Sequence, residues 1–158
     1  MKGRSRDRPF GVPGVGSRKY RGLAQCAPAA KTEDMIGSLS GIVIDCPDPR
    51  ALAPFYEALL GASRAYEDEE WISLDLGPGL PSLDLQRTDK FHAPDWTSGD
   101  PAQQLHLDVQ VADFEEGEAA VLAAGATLLE GSEDHPGFRV YADPVGHPFC
   151  LVRPRSDS

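Results

Sequence analysis

Apolar and polar positions follow an ordered pattern from Leu39 to Val152. The stretch Leu39–Cys46 (LSGIVIDC) is apolar and β-branched, which predicts a strand. Asp48 follows as a helix N-cap, with Pro49 at the first helical position. Ala51, Leu52, Phe55, Tyr56, Leu59 and Leu60 recur at helical spacing and give one apolar face, which stops at Gly61. Three short strands are predicted next, at Ser63–Glu67, Trp71–Leu76 and Ser82–Arg87, separated by an acidic turn and by Gly77-Pro78-Gly79.

After a loop over 88–102 the same order returns. Gln104–Val111 alternates strictly between polar and apolar residues, the pattern of a half-buried strand. A helix is predicted over Phe114–Ala124, with Asp113 as its cap and Gly125 as its stop. Strands follow at Thr127–Glu130, Phe138–Ala142 and Pro148–Val152. Cys46-Pro47-Asp48 superposes on Val111-Ala112-Asp113 at a shift of 65, and Leu60-Gly61-Ala62 on Ala124-Gly125-Ala126 at a shift of 64. The pattern therefore predicts an α+β fold made of a duplicated βαβββ unit, one copy over about 38–90 and the other over about 103–154. A ferredoxin-like α+β sandwich is the alternative, but it needs fewer strands per helix.

Charge sharpens the boundary at the start of this pattern. Residues 1–34 hold eight of the 15 Lys and Arg residues and three of the 25 acids, with abundant Gly, Pro and Ser and no hydrophobic period. They are expected to form a disordered basic extension, or an arm that recruits an acidic partner, and the domain is expected over 35–158. From Met35 onward seven basic residues face 22 acidic ones. A body that acidic repels phosphate backbones, so nucleic acid is not expected as a partner. No apolar stretch approaches the roughly 18 residues of a membrane span. No apolar run follows the basic N-terminal residues, so no secretory signal is expected. Three cysteines, Cys26, Cys46 and Cys150, lack any CxxC pattern, which fits reduced thiols in the cytoplasm.

Three segments carry a family resemblance. IVIDCPDPRALAPFYEALLG (42–61), HLDVQVADFEEGEAAVLAAGAT (106–127) and VYADPVGHPFCLV (140–152) are similar, in this order and spacing, to glyoxalase-like domains of the vicinal-oxygen-chelate superfamily, which also holds bleomycin-resistance proteins and dioxygenases. The resemblance implies two βαβββ modules whose mixed sheets curve into a cup with the helices outside. It also implies a small-molecule ligand in that cup and a homodimer. In metal-dependent members four His, Glu or Gln side chains come from the first and last strands of the two modules. Placed on this chain, those positions are Gly41, Gln86, His106 and Cys150.

That set departs from the family pattern. Glycine offers no side-chain ligand, Gln86 is a weak neutral donor, and Cys150 would be a soft one suited to zinc. No metal or other cofactor is therefore expected, and a divalent ion with altered ligands is the alternative. Period-two alternation puts His106, Asp108 and Gln110 on one face of their strand, with Leu105, Leu107, Val109 and Val111 on the other. Two residues apart on a regular strand, His106 and Asp108 would stand about 7 Å from each other, too far to act as a hydrogen-bonded acid–base pair. The pocket is expected to be lined by Gln86, His106, Asp108 and Cys150, and by Trp71, whose ring would suit a planar ligand. Arg139 and Tyr141 would bring a cation and a phenol into the same space, although Arg139 could equally pair with surface acids. Trp96 is read as a lid or a dimer contact, and His92 and His135 as solvated loop residues. Two functions follow: a metal-free protein that sequesters a small molecule, or a lyase or isomerase of the glyoxalase type with an altered metal site.

Overall fold

The computed structural model describes residues 36–131 and 135–154. The N-terminal segment 1–34, expected to be a disordered extension, lies outside the described residues. The elements are β1 (Gly41–Cys46), α1 (Pro49–Leu60), β2 (Ser63–Glu67), β3 (Trp71–Asp75), β4 (Ser82–Arg87), β5 (Leu107–Gln110), α2 (Phe114–Ala123), β6 (Thr127–Glu130), β7 (Phe138–Ala142) and β8 (Pro148–Val152). They form two four-stranded mixed sheets, ordered β1-β4-β3-β2 and β5-β8-β7-β6, each with one helix. The βαβββ unit is thus duplicated, and the ferredoxin-like alternative is set aside. Among the described residues, no helix is long and apolar enough to cross a membrane.

Local chemistry explains the helix ends. The Asp48 carboxylate accepts from the backbone N–H groups of Arg50 and Ala51, and Pro49 sits where its missing N–H costs nothing. Gly61 closes α1 in the left-handed conformation at φ 64°, which glycine adopts without steric penalty. Asp113 caps α2 through the Glu116 N–H. Both modules also carry a bulge at the same point of their second strand. Register slips between Arg64 and Tyr66 in β2, and between Leu128 and Glu130 in β6. These pairs are related by the 64-residue shift of the repeat.

Helix-facing strand residues build the core. Ile44, Cys46, Ile72, Leu74, Leu83 and Leu85 of the first sheet are buried with Leu52, Phe55 and Tyr56 of α1. In the second sheet Tyr141, Phe149 and Leu151 do the same with Phe114 and Val121 of α2. α1 also joins the two modules. The Phe55 ring meets the Phe149 ring at 5.6 Å, and the Tyr56 hydroxyl donates to Asp143 Oδ2 at 2.9 Å.

Asp143 is a hub at this junction, buried at 3% exposure. Its Oδ1 accepts from the backbone N–H groups of Val145, Gly146 and His147 at 3.0, 2.8 and 2.9 Å. Its Oδ2 lies 2.7 Å from His147 Nδ1. The other ring nitrogen, Nε2, lies 2.8 Å from the Asp45 carbonyl oxygen on β1. His147, expected only as part of a turn, therefore reaches from the β7–β8 turn to the first sheet. Burial works to raise the Asp143 carboxyl, but the hydrogen bonds and charge of His147 outweigh it and hold the group below its ordinary value.

Candidate functional site

Each sheet has a face turned away from its helix, and the sequence-predicted site residues divide between these two open faces. On the first sheet, Trp71 and Ser73 alternate with the buried Ile72 and Leu74, as expected. Register places Asp45, Gln86 and Trp71 in one row across β1, β4 and β3, and Val43, Asp84 and Ser73 in the next. Trp71 is half-buried and its indole N–H donates to Ser73 Oγ at 2.9 Å, which leaves Gln86, Val43 and Asp45 exposed beside it. Asp84 is buried at 9% exposure; Ser82 Oγ donates to its Oδ2, but Oδ1 has no hydrogen-bond partner.

On the second sheet, one row crosses all four strands: Glu130, Val140, Cys150 and Asp108. The bulge in β6 skips Leu129, and this brings Glu130 opposite Val140. Val140 and Cys150 are buried at 0% and 5% although they face away from α2. The loop after β4 reaches this face, where the Trp96 indole N–H donates to Glu130 Oε2 at 3.0 Å and its ring meets His106 edge-on. His135, a loop residue as expected and still partly exposed, pairs with Glu130 at 3.0 Å and stacks on Phe138.

His106 departs from the expected strand geometry. β5 begins at Leu107, not Gln104, so His106 lies just outside the regular ladder and its side chain folds back. Its Nε2 comes to 3.5 Å from Asp108 Oδ1, closer than the backbone spacing of the two residues because the side chains lean together. Cys150 pairs with Asp108 across the parallel β5–β8 ladder. One donor atom each from His106, Asp108 and Cys150 fall within 4.8 Å of one another. Burial, and then the charge and hydrogen bond of Asp108, push the Cys150 thiol up to about 11. Without a cation it is a protonated thiol and a poor nucleophile.

Arg139 and Tyr141 are corrections. They lie on the helix side of β7, not on the open face. The Arg139 guanidinium pairs with Glu115 and Glu118 of α2 at 2.9 and 3.1 Å and lies over the Phe114 ring. The Tyr141 hydroxyl donates to Glu118 Oε2 at 2.7 Å. Both side chains bury an apolar body and extend a polar tip to the helix surface, while the apolar Val140 takes the open face. Trp71 and Gln86 stand on the first sheet, and His106, Asp108 and Cys150 on the second. Among the described residues no hydrogen bond, ion pair or aromatic contact joins these two groups. Glu130 and Trp96 complete the second face, and the expected pocket set included neither.

The four-ligand metal arrangement implied by the resemblance does not fit these residues. A Cβ placed on Gly41 would meet Ser82 Oγ at 2.5 Å and Asp84 Oδ2 at 2.9 Å. Those side chains fill the space that a ligand from the first strand would need, and Gln86 is the one remaining member of the set on that sheet.

A model for a glyoxalase-like domain matches residues 41–152. No curated protein matches the sequence. Several solved structures share the fold at low identity. The chain is similar to a glyoxalase/bleomycin resistance protein/dioxygenase family enzyme from Burkholderia phytofirmans, with 17% identity, 74% of this chain and 98% of that one covered, and a TM-score of 0.58. It is also similar to the fosfomycin resistance protein FosX from Listeria monocytogenes, with 16% identity, coverages of 77% and 96%, and a TM-score of 0.59. A third likeness is to the bleomycin-binding protein of Streptomyces verticillus, solved with copper(II)-bleomycin, at 18% identity, coverages of 77% and 100%, and a TM-score of 0.50. With the duplicated βαβββ unit and the match over residues 41–152, the chain belongs to the glyoxalase-like domain family of the vicinal-oxygen-chelate superfamily.

Proposed function

We propose that this protein captures a small, planar molecule, and that it does so without the four-ligand metal site of its metal-dependent relatives. The observation that carries this reading is the row of Asp45, Gln86 and Trp71 on an open sheet face: an indole, an amide and a carboxylate side by side. An aromatic wall with a few polar groups is what a site for a planar, hydrogen-bonding molecule requires. The crowding of Gly41 by Ser82 and Asp84 supports the loss of the usual metal. The solved relatives include a protein bound to copper(II)-bleomycin, so bleomycin is a natural first probe.

The test is native mass spectrometry of the purified full chain, followed by titration with bleomycin while tryptophan emission is recorded. A bound species, or a bleomycin response, that disappears in Trp71→Ala is expected. Full retention of either in Trp71→Ala and in Gln86→Ala would overturn the assignment of this face. We also propose a homodimer in the cytoplasm. The buried free thiols of Cys46 and Cys150 suit a reducing compartment, and light scattering across a dilution series checks the assembly.

A second reading is favoured by the approach of His106, Asp108 and Cys150 on the other face. Under it the protein is a lyase or isomerase with altered ligands. Activity lost with His106→Ala but kept in Trp71→Ala would favour this reading over the first.

A further inference from the structure

We propose that the open face of the first sheet selects a planar cation of the amidinium or guanidinium class, and that Asp84 is the residue that selects it. The proposal rests on the reading of this face as the capture site, and it names the chemistry of the occupant.

Three observations carry it. Asp84 is nine-tenths buried, yet its Oδ1 has no hydrogen-bond partner among the described residues. Unpaired buried acceptors are rare, because each gives up its bonds to water and gains none in exchange. The second observation is charge. Across the two rows Asp45–Gln86–Trp71 and Val43–Asp84–Ser73–Tyr66 there are two carboxylates and no Lys, Arg or His. Among the described residues neither carboxylate enters an ion pair, and Arg50 and Arg64 are engaged by Glu67 and Glu57 instead. The third is the indole. The Trp71 N–H already donates to Ser73 Oγ, so what the ring presents to a ligand is its π-surface, which attracts cations.

The spacing suits one molecule. Trp71 stands opposite Gln86, and Asp84 is its diagonal neighbour on the same face. Such neighbours lie about 7–8 Å apart, within reach of an aromatic side chain. A flat cation lying against the indole brings its N–H edge to the carboxylate. The last torsion of an aspartate is soft, so Oδ1 turns toward the donor at small cost. The paired N–H groups of an amidinium match a carboxylate fork to fork, and the exposed Gln86 amide oxygen can accept a further N–H. A phosphate or carboxylate ligand would bring only acceptors, and Asp45 and Asp84 would repel it. Capture is non-covalent, with no bond made or broken.

Three probes of the same size and shape separate charge from flatness: benzamidine (a cation), benzamide (neutral) and benzoate (an anion). Each is titrated into the full chain by calorimetry while the Trp71 indole N–H resonance is followed by NMR. Benzamidine is expected to bind more than about tenfold tighter than benzamide, and benzoate to give no response. Asp84→Asn, which keeps the shape of the side chain, is expected to remove the preference for benzamidine over benzamide. Glu116→Gln makes the same change in net charge on α2 and is expected to leave the preference intact. Equal binding of benzamidine and benzamide overturns the proposal. So does a preference that survives in Asp84→Asn, an equal loss in Glu116→Gln, or no benzamidine binding up to about 10 mM. The two ideas fail separately. Capture of bleomycin or a co-purified molecule that depends on Trp71, without a preference for benzamidine, removes only this proposal. A preference that depends on Asp84 and is indifferent to Trp71→Ala removes the aromatic wall and keeps the carboxylate contact.

Discussion

At the scale of single residues, two carboxylates in the core have opposite surroundings. Asp143 is satisfied by five contacts, whereas Asp84 keeps one oxygen without a donor. A buried acceptor left unpaired costs about 1–3 kcal/mol. Asp84→Asn keeps the shape and removes the charge, so thermal denaturation is expected to show it unchanged or more stable, by up to about 2 kcal/mol. A loss of more than that would mean that Asp84 is paired in solution. Asp143→Asn should do the reverse, costing about 3 kcal/mol near pH 7, because it weakens a buried, multiply bonded charge. Since the folded Asp143 carboxyl is held below its ordinary value, the stability it contributes is fully present above the unfolded value of about 4 and is lost as pH falls further. The gap between the native protein and Asp143→Asn should therefore narrow below about pH 4, as acid titration of circular dichroism would show.

At the scale of elements, hydrophobic period and cap chemistry are enough to predict every helix and strand among the described residues. Asp48-Pro49 and Gly61 mark α1, and the same signals recur near α2, because these ends are decided by side chains close in sequence. Side-chain direction was readable only where alternation was uninterrupted, as in β3 with Trp71. It fails at β7, where Arg139 and Tyr141 were expected in the pocket, because both can bury their stems and still reach Glu118. The role of Glu130 was not legible either. The bulge that skips Leu129 turns it toward Cys150, and nothing in the run TLLE announces a bulge. The helix-side placement has a direct test. Tyr141→Phe removes the donor to Glu118 and should cost about 1 kcal/mol in urea denaturation, with bleomycin binding unchanged. Altered binding in this variant would return Tyr141 to the pocket.

At the scale of the molecule, the modules are joined by packing as well as by a linker. Phe149 touches Phe55 of the first module and stacks on Tyr141 of its own, so it belongs to both cores. Phe149→Ala should cost about 3–5 kcal/mol, and calorimetry should still show a single transition, because the buried residues of both halves form one cluster. Two separate transitions in the native protein would refute a shared core. The hold of His147 on the Asp45 carbonyl has a consequence of another kind. β1 is the outer strand of its sheet, and an outer strand offers free backbone groups to any passing chain. The imidazole occupies one of those groups at the strand's C-terminal end. It thus works as a guard against edge-to-edge stacking, and His147→Ala is expected to aggregate faster than its loss of stability alone would explain, as light scattering at matched unfolded fractions would reveal.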